Sequence, residues 1–281
     1  TLIGSDFDMG PGGKGSNQAV ATSRLGADSY FVGIIGDDKL GEIATDLYKR
    51  EGINTSLLTI DLEQPTGAGL IILNQQGDNF IILDMGANNL MDSAFVDSAE
   101  DQIARSAIVM SVLEIPVPAA IRAMELGKKH GVRTLLNPAP AAPLEYDAFQ
   151  YIDILTPNET ELRILLGLSA DDPTPTQDLA QRLKDRGVQT VVVTMGSSGA
   201  LVLTDDGVQT VPPIAVDVVD TTGAGDAFNS GLAVALAEGH DLITAVKMGN
   251  CAGALACTKL GVIPSLAQRD ALDMLFKAHY A

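Results

Sequence analysis

From Asn89 onward the chain switches hydrophobic period repeatedly, and this alternation constrains its fold more than any other feature. Helical spacing near 3.6 gives way to short apolar strand runs and returns. The pattern predicts a helix to about Ala104, strand Ala107 to Val112, helix Pro118 to His130 and strand Arg133 to Leu136. Strand Ile152 to Leu155, helix Glu159 to Leu166, helix Gln177 to Arg186 and strand Thr190 to Thr194 come next. A hairpin over Ala200 to Val211 leads to three closing helices, Ala224 to Glu238, Leu242 to Thr258 and Ala267 to His279. Such alternation implies an α/β protein whose mostly parallel sheet lies between two helical layers, a three-layer Rossmann-like arrangement. The 281 residues suffice for one large domain with a small appendage.

The N-terminal third has another texture. Gly10-Pro-Gly-Gly-Lys-Gly-Ser-Asn17 reads as a glycine-rich loop opening a helix from Gln18 to Leu25. It matches the G-x-G-x-x-G letters of dinucleotide sites, but no buried strand precedes it and Asp28 opens the next strand. It is not a P-loop, because Gly15 stands where Ser or Thr must follow Lys14. What remains is a backbone loop with one Lys and one Asn, suited to hydroxyl or phosphate oxygens. Strand Tyr30 to Ile35 and helix Leu40 to Arg50 follow. Leu57 to Ile60, Ala68 to Leu73 and Phe80 to Leu83 are short strands, the last two joined by the polar turn Asn74 to Asp78. No helix separates these three, so antiparallel pairing is expected. Alone, such a β unit exposes an apolar face, so it must cover a cleft or a second subunit.

Asp220-Thr-Thr-Gly-Ala-Gly-Asp-Ala-Phe228 follows a β-branched run and precedes an apolar helix, so it reads as a strand-to-helix turn. Gly223 and Gly225 let the backbone approach a ligand. The first helical amides lack internal partners, and the helix dipole makes them an anion site. A carboxylate there, Asp226, either favours the helix end or does chemistry. In parallel sheets ligands sit beyond the carboxyl ends of the strands. Glu114, Asn137-Pro-Ala-Pro-Ala141, Asn158-Glu-Thr-Glu161 and Thr194-Met-Gly-Ser-Ser-Gly199 all fall at such ends, with Asp220 and Asp226. Each has a structural alternative: Asn158 with Glu161 spells a capping box, and Gly196 to Gly199 suits a hairpin turn.

Charge narrows the partners. With 18 basic and 36 acidic residues the formal charge is −18, which argues against nucleic acid or an anionic membrane surface. No apolar run approaches the ~20 residues of a membrane helix. Cys251 and Cys257 lie six apart on one predicted helix, roughly 9 Å between Cα atoms, too far for a disulfide. A cytoplasmic location follows as the expectation. His130, His240 and His279 have no metal-ligand spacing.

Gly12-Gly-Lys-Gly-Ser-Asn17, Asn137-Pro-Ala-Pro140, Asn158-Glu-Thr-Glu161 and Asp220-Thr-Thr-Gly-Ala-Gly-Asp226 resemble the motifs of the ribokinase (PfkB-type) sugar kinase family, in order and spacing, over nearly the whole chain. The resemblance implies one kinase domain over residues 1–281, with lid strands from about 1–12 and 54–86. It implies transfer of the ATP γ-phosphoryl group to the primary hydroxyl of a pentose, D-ribose before deoxyribose, fructose or 2-keto-3-deoxygluconate. Asp226 would be the base, and the amides of Gly223, Ala224 and Gly225 the anion hole. Gly13, Lys14, Gly15, Ser16, Asn17 and Glu114 would hold the sugar. Asn158 and Glu161 would lie near the ATP phosphates and Mg²⁺, with Thr194, Met195, Gly196, Ser197, Ser198, Gly199, Gly225 and Asn250 along the nucleotide. Asp220, Thr222, Ala256, Lys259, Gly261 and Ser265 would form a K⁺ site. The lid would pair two subunits. The family opens on a strand with a Gly-Ser-x-Asn-x-Asp-like sugar motif, and this sequence starts after it. An oxidoreductase, resting on the G-x-G-x-x-G letters, and a non-catalytic sugar or nucleotide sensor are the readings from other classes.

Overall fold

The computed structural model describes residues 9–73 and 79–280. Helix α1 spans Lys14–Arg24, so Lys14 to Asn17 form its first turn and not a loop before it. The reason is local. Gly13 adopts φ 89°, which redirects the chain, and the Glu114 carboxylate accepts the Lys14 N–H at 2.6 Å, supplying an orphan amide with a partner.

Strand β1 (Tyr30–Gly36), helix α2 (Lys39–Arg50) and strand β2 (Asn54–Asp61) form one unit. β2 runs parallel to β1, with Val32 opposite Leu57 and Gly36 opposite Asp61. This corrects the expectation that Leu57 to Ile60 pairs antiparallel within the appendage: α2 supplies the crossover that a parallel pair needs. The antiparallel hairpin comprises β3 (Ala68–Leu73) and β4 (Asn79–Asp84) alone, among the described residues. Its turn, Asn74 to Asp78, and the part of the expected lid at residues 1–8 lie outside the described residues; residues 9–12 form no strand.

The expected helix before Ala104 is two short ones, α3 (Ser93–Asp97), capped by the Asp92 side chain, and α4 (Glu100–Ile103). Then come β5 (Ile108–Ser111), α5 (Val117–Lys129), β6 (Arg133–Leu136), β7 (Ile154–Leu155), α6 (Glu159–Leu165), α7 (Thr176–Lys184) and β8 (Thr190–Thr194). β9 (Ala200–Thr204) and β10 (Gly207–Val211) make the predicted hairpin. No strand precedes the Asp220 turn. β10 ends at Val211, because Pro212 and Pro213 have no N–H to continue the ladder. Helices α8 (Ala224–Ala237), α9 (Leu242–Ala256), α10 (Val262–Ser265) and α11 (Arg269–Tyr280) close the chain, one more than expected, since Gly261 at φ 80° starts a separate short turn.

The main sheet runs β10-β9-β8-β7-β6-β5, parallel from β5 to β8 and antiparallel at β9 and β10. Strand alternation divides its two faces. Leu135, Ile154, Val192 and Val202 join the core under α1, α8 and α9. Leu136, Leu155, Val191, Val193 and Leu203 join the core under α5, α6 and α7. Each such buried aliphatic side chain contributes ~1.5–3 kcal/mol. The α8–α9 contact is very close: a Cβ on Gly249 would stand 2.9 Å from the Phe228 carbonyl, and one on Gly231 2.9 Å from that of Met248. These glycines set α8 firmly against α9.

Candidate active site

At the head of α8, Gly223 takes φ 81°, and a Cβ there would strike Val262 at 2.5 Å. Only glycine therefore fits this N-cap. The first-turn amides of α8 point out of the helix end. The Ala224 N–H bonds the Thr221 carbonyl at 3.2 Å, whereas those of Gly225 and Asp226 have no carbonyl within helical reach. Asp226 is the third residue of α8, 3% exposed. Asn17 Nδ2 donates to its Oδ2 at 2.9 Å and Gln18 Nε2 to its Oδ1 at 3.1 Å. Burial pushes the Asp226 carboxyl above its ordinary pKa, while the Lys14 charge and the two amide donors pull it back.

The cavity in front of Asp226 has a volume of about 180 Å³. Lys14, Asn158, Glu161, Thr194, Gly223 and Gly225 line it, as expected from the sequence. Asn137, Ala139, Thr156, Thr221 and Asn229 line it as well. Asn17 adjoins it through Asp226, and its Oδ1 is buried with no hydrogen-bond partner. Glu114 adjoins it through the Lys14 amide; its carboxyl is raised by burial, against the pull of Lys14.

Other expected site residues stand back. Gly15 packs beneath Phe31 and Val112, and Ser16 is buried beside the Tyr48 hydroxyl. Glu161 Oε2 accepts the Asn158 N–H at 2.8 Å, and Asn158 Oδ1 accepts the Glu161 N–H at 2.8 Å, so the capping box is real. Glu161 nevertheless reaches the cavity wall, with its carboxyl raised by burial. Met195 precedes the single 3-10 turn Gly196–Ser198, and Gly199 closes it at φ 88°. Asn250 sits on α9 and donates to the Pro212 carbonyl at 3.0 Å. These residues flank the extended segment 212–219 and do not line the cavity.

Residues 1–269 match the pfkB family of carbohydrate kinases. The chain belongs to that family. It is 37% identical over 270 residues to the ribokinase of Haemophilus influenzae, covering 96% of this chain and 88% of the relative. It is 35% identical over 272 residues to a deoxyribokinase of Salmonella typhi, covering 95% and 89%. The structure of Arabidopsis thaliana ribokinase complexed with ribose and ATP superposes with a TM-score of 0.89 at 32% identity, covering 95% of this chain and 87% of that one. The α/β fold read from the alternation and the kinase family suggested by the motifs are thus both present, and this kinase is an ATP-dependent sugar phosphotransferase.

Two ion sites were expected in this kinase. Among the described residues no group of three acidic, His or Cys side chains could hold a metal by itself. A magnesium ion carried by nucleotide phosphates fits differently: Asn158 and Glu161, both on the cavity wall, would lie beside it. At the other position the Asp220 Oδ1 accepts the Thr222 N–H at 2.9 Å and Oδ2 the Gly261 N–H at 3.0 Å. The Val219 and Asp220 amides both donate to the Cys257 carbonyl, at 2.8 and 3.3 Å. These bonds bring segments 219–222 and 257–265 together, as a site of hard oxygens requires. Burial pushes the Asp220 carboxyl up, but the Thr222 and Gly261 donors together hold it below its ordinary pKa.

Gln18, Thr156 and Asn229 were absent from the sequence-derived site, and Asn137 entered it only as part of a strand-end motif with no role of its own. A signal existed: Asn229 interrupts an apolar helix three residues after Asp226, on the buried side.

Proposed function

We propose that this kinase transfers the γ-phosphoryl group of ATP to the primary hydroxyl of D-ribose, forming ribose 5-phosphate. One observation carries the reading: a buried carboxylate, Asp226, stands at the amide-rich head of α8 with the Lys14 ammonium nearby. The sugar oxygen attacks phosphorus, its bond to ADP breaks, and the hydroxyl proton passes to Asp226 as the new bond forms. Burial raises the Asp226 carboxyl's pKa, and Lys14, Asn17 and Gln18 oppose that rise by favouring the ionised form that accepts the proton. Base catalysis of this kind is worth roughly 10²–10⁴-fold. Charge on the transferred group meets the amides of Gly223, Ala224 and Gly225. Magnesium, when bound, neutralises phosphate charge, and Glu161 and Asn158 hold that side of the cavity. The unpaired Asn17 Oδ1 suits a sugar hydroxyl donor, with Lys14 and Glu114 on the same rim. Residues 194–199 and Asn250 border the nucleotide's far end.

Three finer assignments complete the reading. Potassium binds beside Asp220 with backbone oxygens of Thr222, Ala256, Lys259 and Gly261 and with Ser265, steadying the catalytic turn. The hairpin β3–β4 is a lid that pairs two subunits. The kinase is cytoplasmic, in keeping with its two free cysteines.

Deoxyribose is the second substrate to weigh, because a deoxyribokinase is 35% identical over the same length. Coupled ADP release with ribose, deoxyribose, fructose and 2-keto-3-deoxygluconate tests the reading. Ribose is expected to give the highest kcat/KM; a tenfold preference for deoxyribose would reassign the substrate, and no turnover with any sugar would favour a sensor.

A further inference from the structure

Behind Asp226 a line of uncharged side chains runs through the protein. Gln18 Nε2 uses both of its protons, one to Asp226 Oδ1 at 3.1 Å and one to Asn137 Oδ1 at 3.0 Å. Asn137 Nδ2 donates to the Thr156 carbonyl at 3.2 Å. Thr156 Oγ1 donates to Asn229 Oδ1 at 2.5 Å, and Asn229 Nδ2 donates to the Gly225 carbonyl at 2.9 Å. All four side chains are buried.

The line begins and ends on the same turn of α8. At one end it fixes the carboxylate of Asp226. At the other it holds the carbonyl of the peptide unit whose N–H belongs to Asp226. A peptide is planar, with its C=O and N–H antiparallel. Holding the Gly225 carbonyl therefore aims the Asp226 N–H from the helix head toward the cavity. Gln18 donates both ways, to Asp226 and to Asn137, and from Asn137 on each bond runs donor to acceptor away from the carboxylate, so the line carries no acid that could release a proton to Asp226. The line can orient the base but cannot protonate it.

We propose that Gln18 is a positioning residue for phosphoryl transfer, and that Asn137, Thr156 and Asn229 lock its orientation by returning to the turn that carries the base and its amide. This rests on Asp226 being the base. A buried amide that leaned on packing alone would leave an unpaired donor or acceptor at each step, at ~1–3 kcal/mol each. Instead the described bonds form a continuous circuit. Partly satisfied networks are where buried polar sites lose uniqueness.

The experiment compares the full-length enzyme with Gln18→Leu, Gln18→Glu, Thr156→Val and Asp226→Asn. Gln18→Leu keeps volume and removes both donated bonds. We expect kcat to fall at least tenfold, with ATP affinity by calorimetry within twofold and sugar KM within threefold. The acid limb of kcat/KM should move to higher pH, because a lost donor to the charged form raises the carboxyl pKa. The charged groups facing Asp226, namely Lys14 on α1, Glu114 after β5 and Glu161 on α6, stay in place. Gln18→Glu is isosteric and serves if the Leu variant does not fold: two carboxyls would share a proton, and its acid limb should move further still. Thr156→Val should lower kcat by a smaller factor, and the double variant should lose less than the product of the single losses, as members of one network do. A Gln18→Leu enzyme with kcat within twofold of wild type and an unmoved acid limb would overturn the proposal, provided Asp226→Asn is inactive. Strictly multiplicative losses would overturn the circuit. An active Asp226→Asn enzyme would overturn the assignment of the base itself, which is a different failure.

Discussion

The head of α8 and the hairpin β3–β4 are built on opposite principles. At α8, polar side chains are buried and each bond is answered by another: Asp226 by Asn17 and Gln18, Gln18 by Asn137, Asn229 by Thr156. At the hairpin, apolar side chains are exposed. Leu70, Ile72, Phe80 and Ile82 fall on one face of the two-stranded pair, since Leu70 lies opposite Ile82 and Ile72 opposite Phe80. All four are about half exposed or more. Ile71, on the other face, is 53% exposed too. A two-stranded unit with two apolar faces is not stable by itself. The comparison teaches how differently the two regions are closed: the polar groups at α8 satisfy one another within one chain, while the hairpin leaves its apolar side chains uncovered in that chain.

The sharpest way to break the first half of the comparison is Asp226→Asn. It keeps shape and removes the proton acceptor. kcat should fall at least a hundredfold, while ATP binding by calorimetry changes little. In the wild type, kcat/KM should drop as pH falls through the Asp226 pKa, which burial has placed above the ordinary carboxylate value. A variant with half the wild-type kcat would end the assignment.

A smaller effect is expected at Asn17. Its Nδ2 orients Asp226 and its Oδ1 awaits a donor, so Asn17→Ala removes a sugar contact and one support of the base. Loss of such a hydrogen bond costs ~1–3 kcal/mol, so sugar KM should rise about tenfold or more, with a milder fall in kcat. Equal weakening of ATP and sugar, measured side by side, would indicate that the first turn of α1 has collapsed.

The lid provides the counter-test. A homodimer through β3–β4 would bury the Leu70, Ile72, Phe80 and Ile82 face. Leu70→Glu or Ile72→Glu should give monomers with nearly unchanged thermal stability, because neither side chain supports the core of its own chain. Light scattering decides. A wild-type monomer at micromolar concentration would mean that the hairpin covers something other than its copy.

Legibility in the sequence followed the same division. The six-stranded sheet was readable because β5 to β8 are short, apolar and interleaved with helices, which fixes their parallel order, and β9 and β10 show a hairpin turn. Leu57 to Ile60 was misassigned because its partner is decided by the helix before it, not by the strands after it. The start of α1 was hidden because Gly12 to Gly15 look like loop residues, and what lets them turn helical is a carboxylate one hundred positions away, Glu114. Asp226, Asn158 and Glu161 stood out as acids and amides at strand ends. Gln18, Thr156 and Asn229 did not, and Asn137 stood out only within its strand-end motif, because a buried polar side chain has no local reason to be there. Its partners come from α1, β6, β7 and α8 and meet only in the fold.

The smallest effect concerns Asp220, which lies between the two regimes. Its carboxylate caps two backbone amides, Thr222 and Gly261, so it already organises the turn without an ion. A half-buried negative charge beside the proposed anion hole would also repel the incoming phosphate. A monovalent cation among the oxygens of segments 220–222 and 256–265 would cancel that charge and hold the Gly223 to Gly225 amides in place. kcat should therefore rise severalfold when potassium replaces tetramethylammonium at fixed ionic strength and fixed magnesium. Lithium, too small for a cage of carbonyls, should not substitute. Asp220→Asn keeps one acceptor oxygen for the turn but removes the charge, so it should weaken the potassium response more than it lowers thermal stability. Because the carboxyl is held below its ordinary pKa, the response should persist across the neutral and mildly acidic range and fade only as Asp220 protonates. Equal rates in potassium and tetramethylammonium would leave Asp220 with its two hydrogen bonds and no ion to hold.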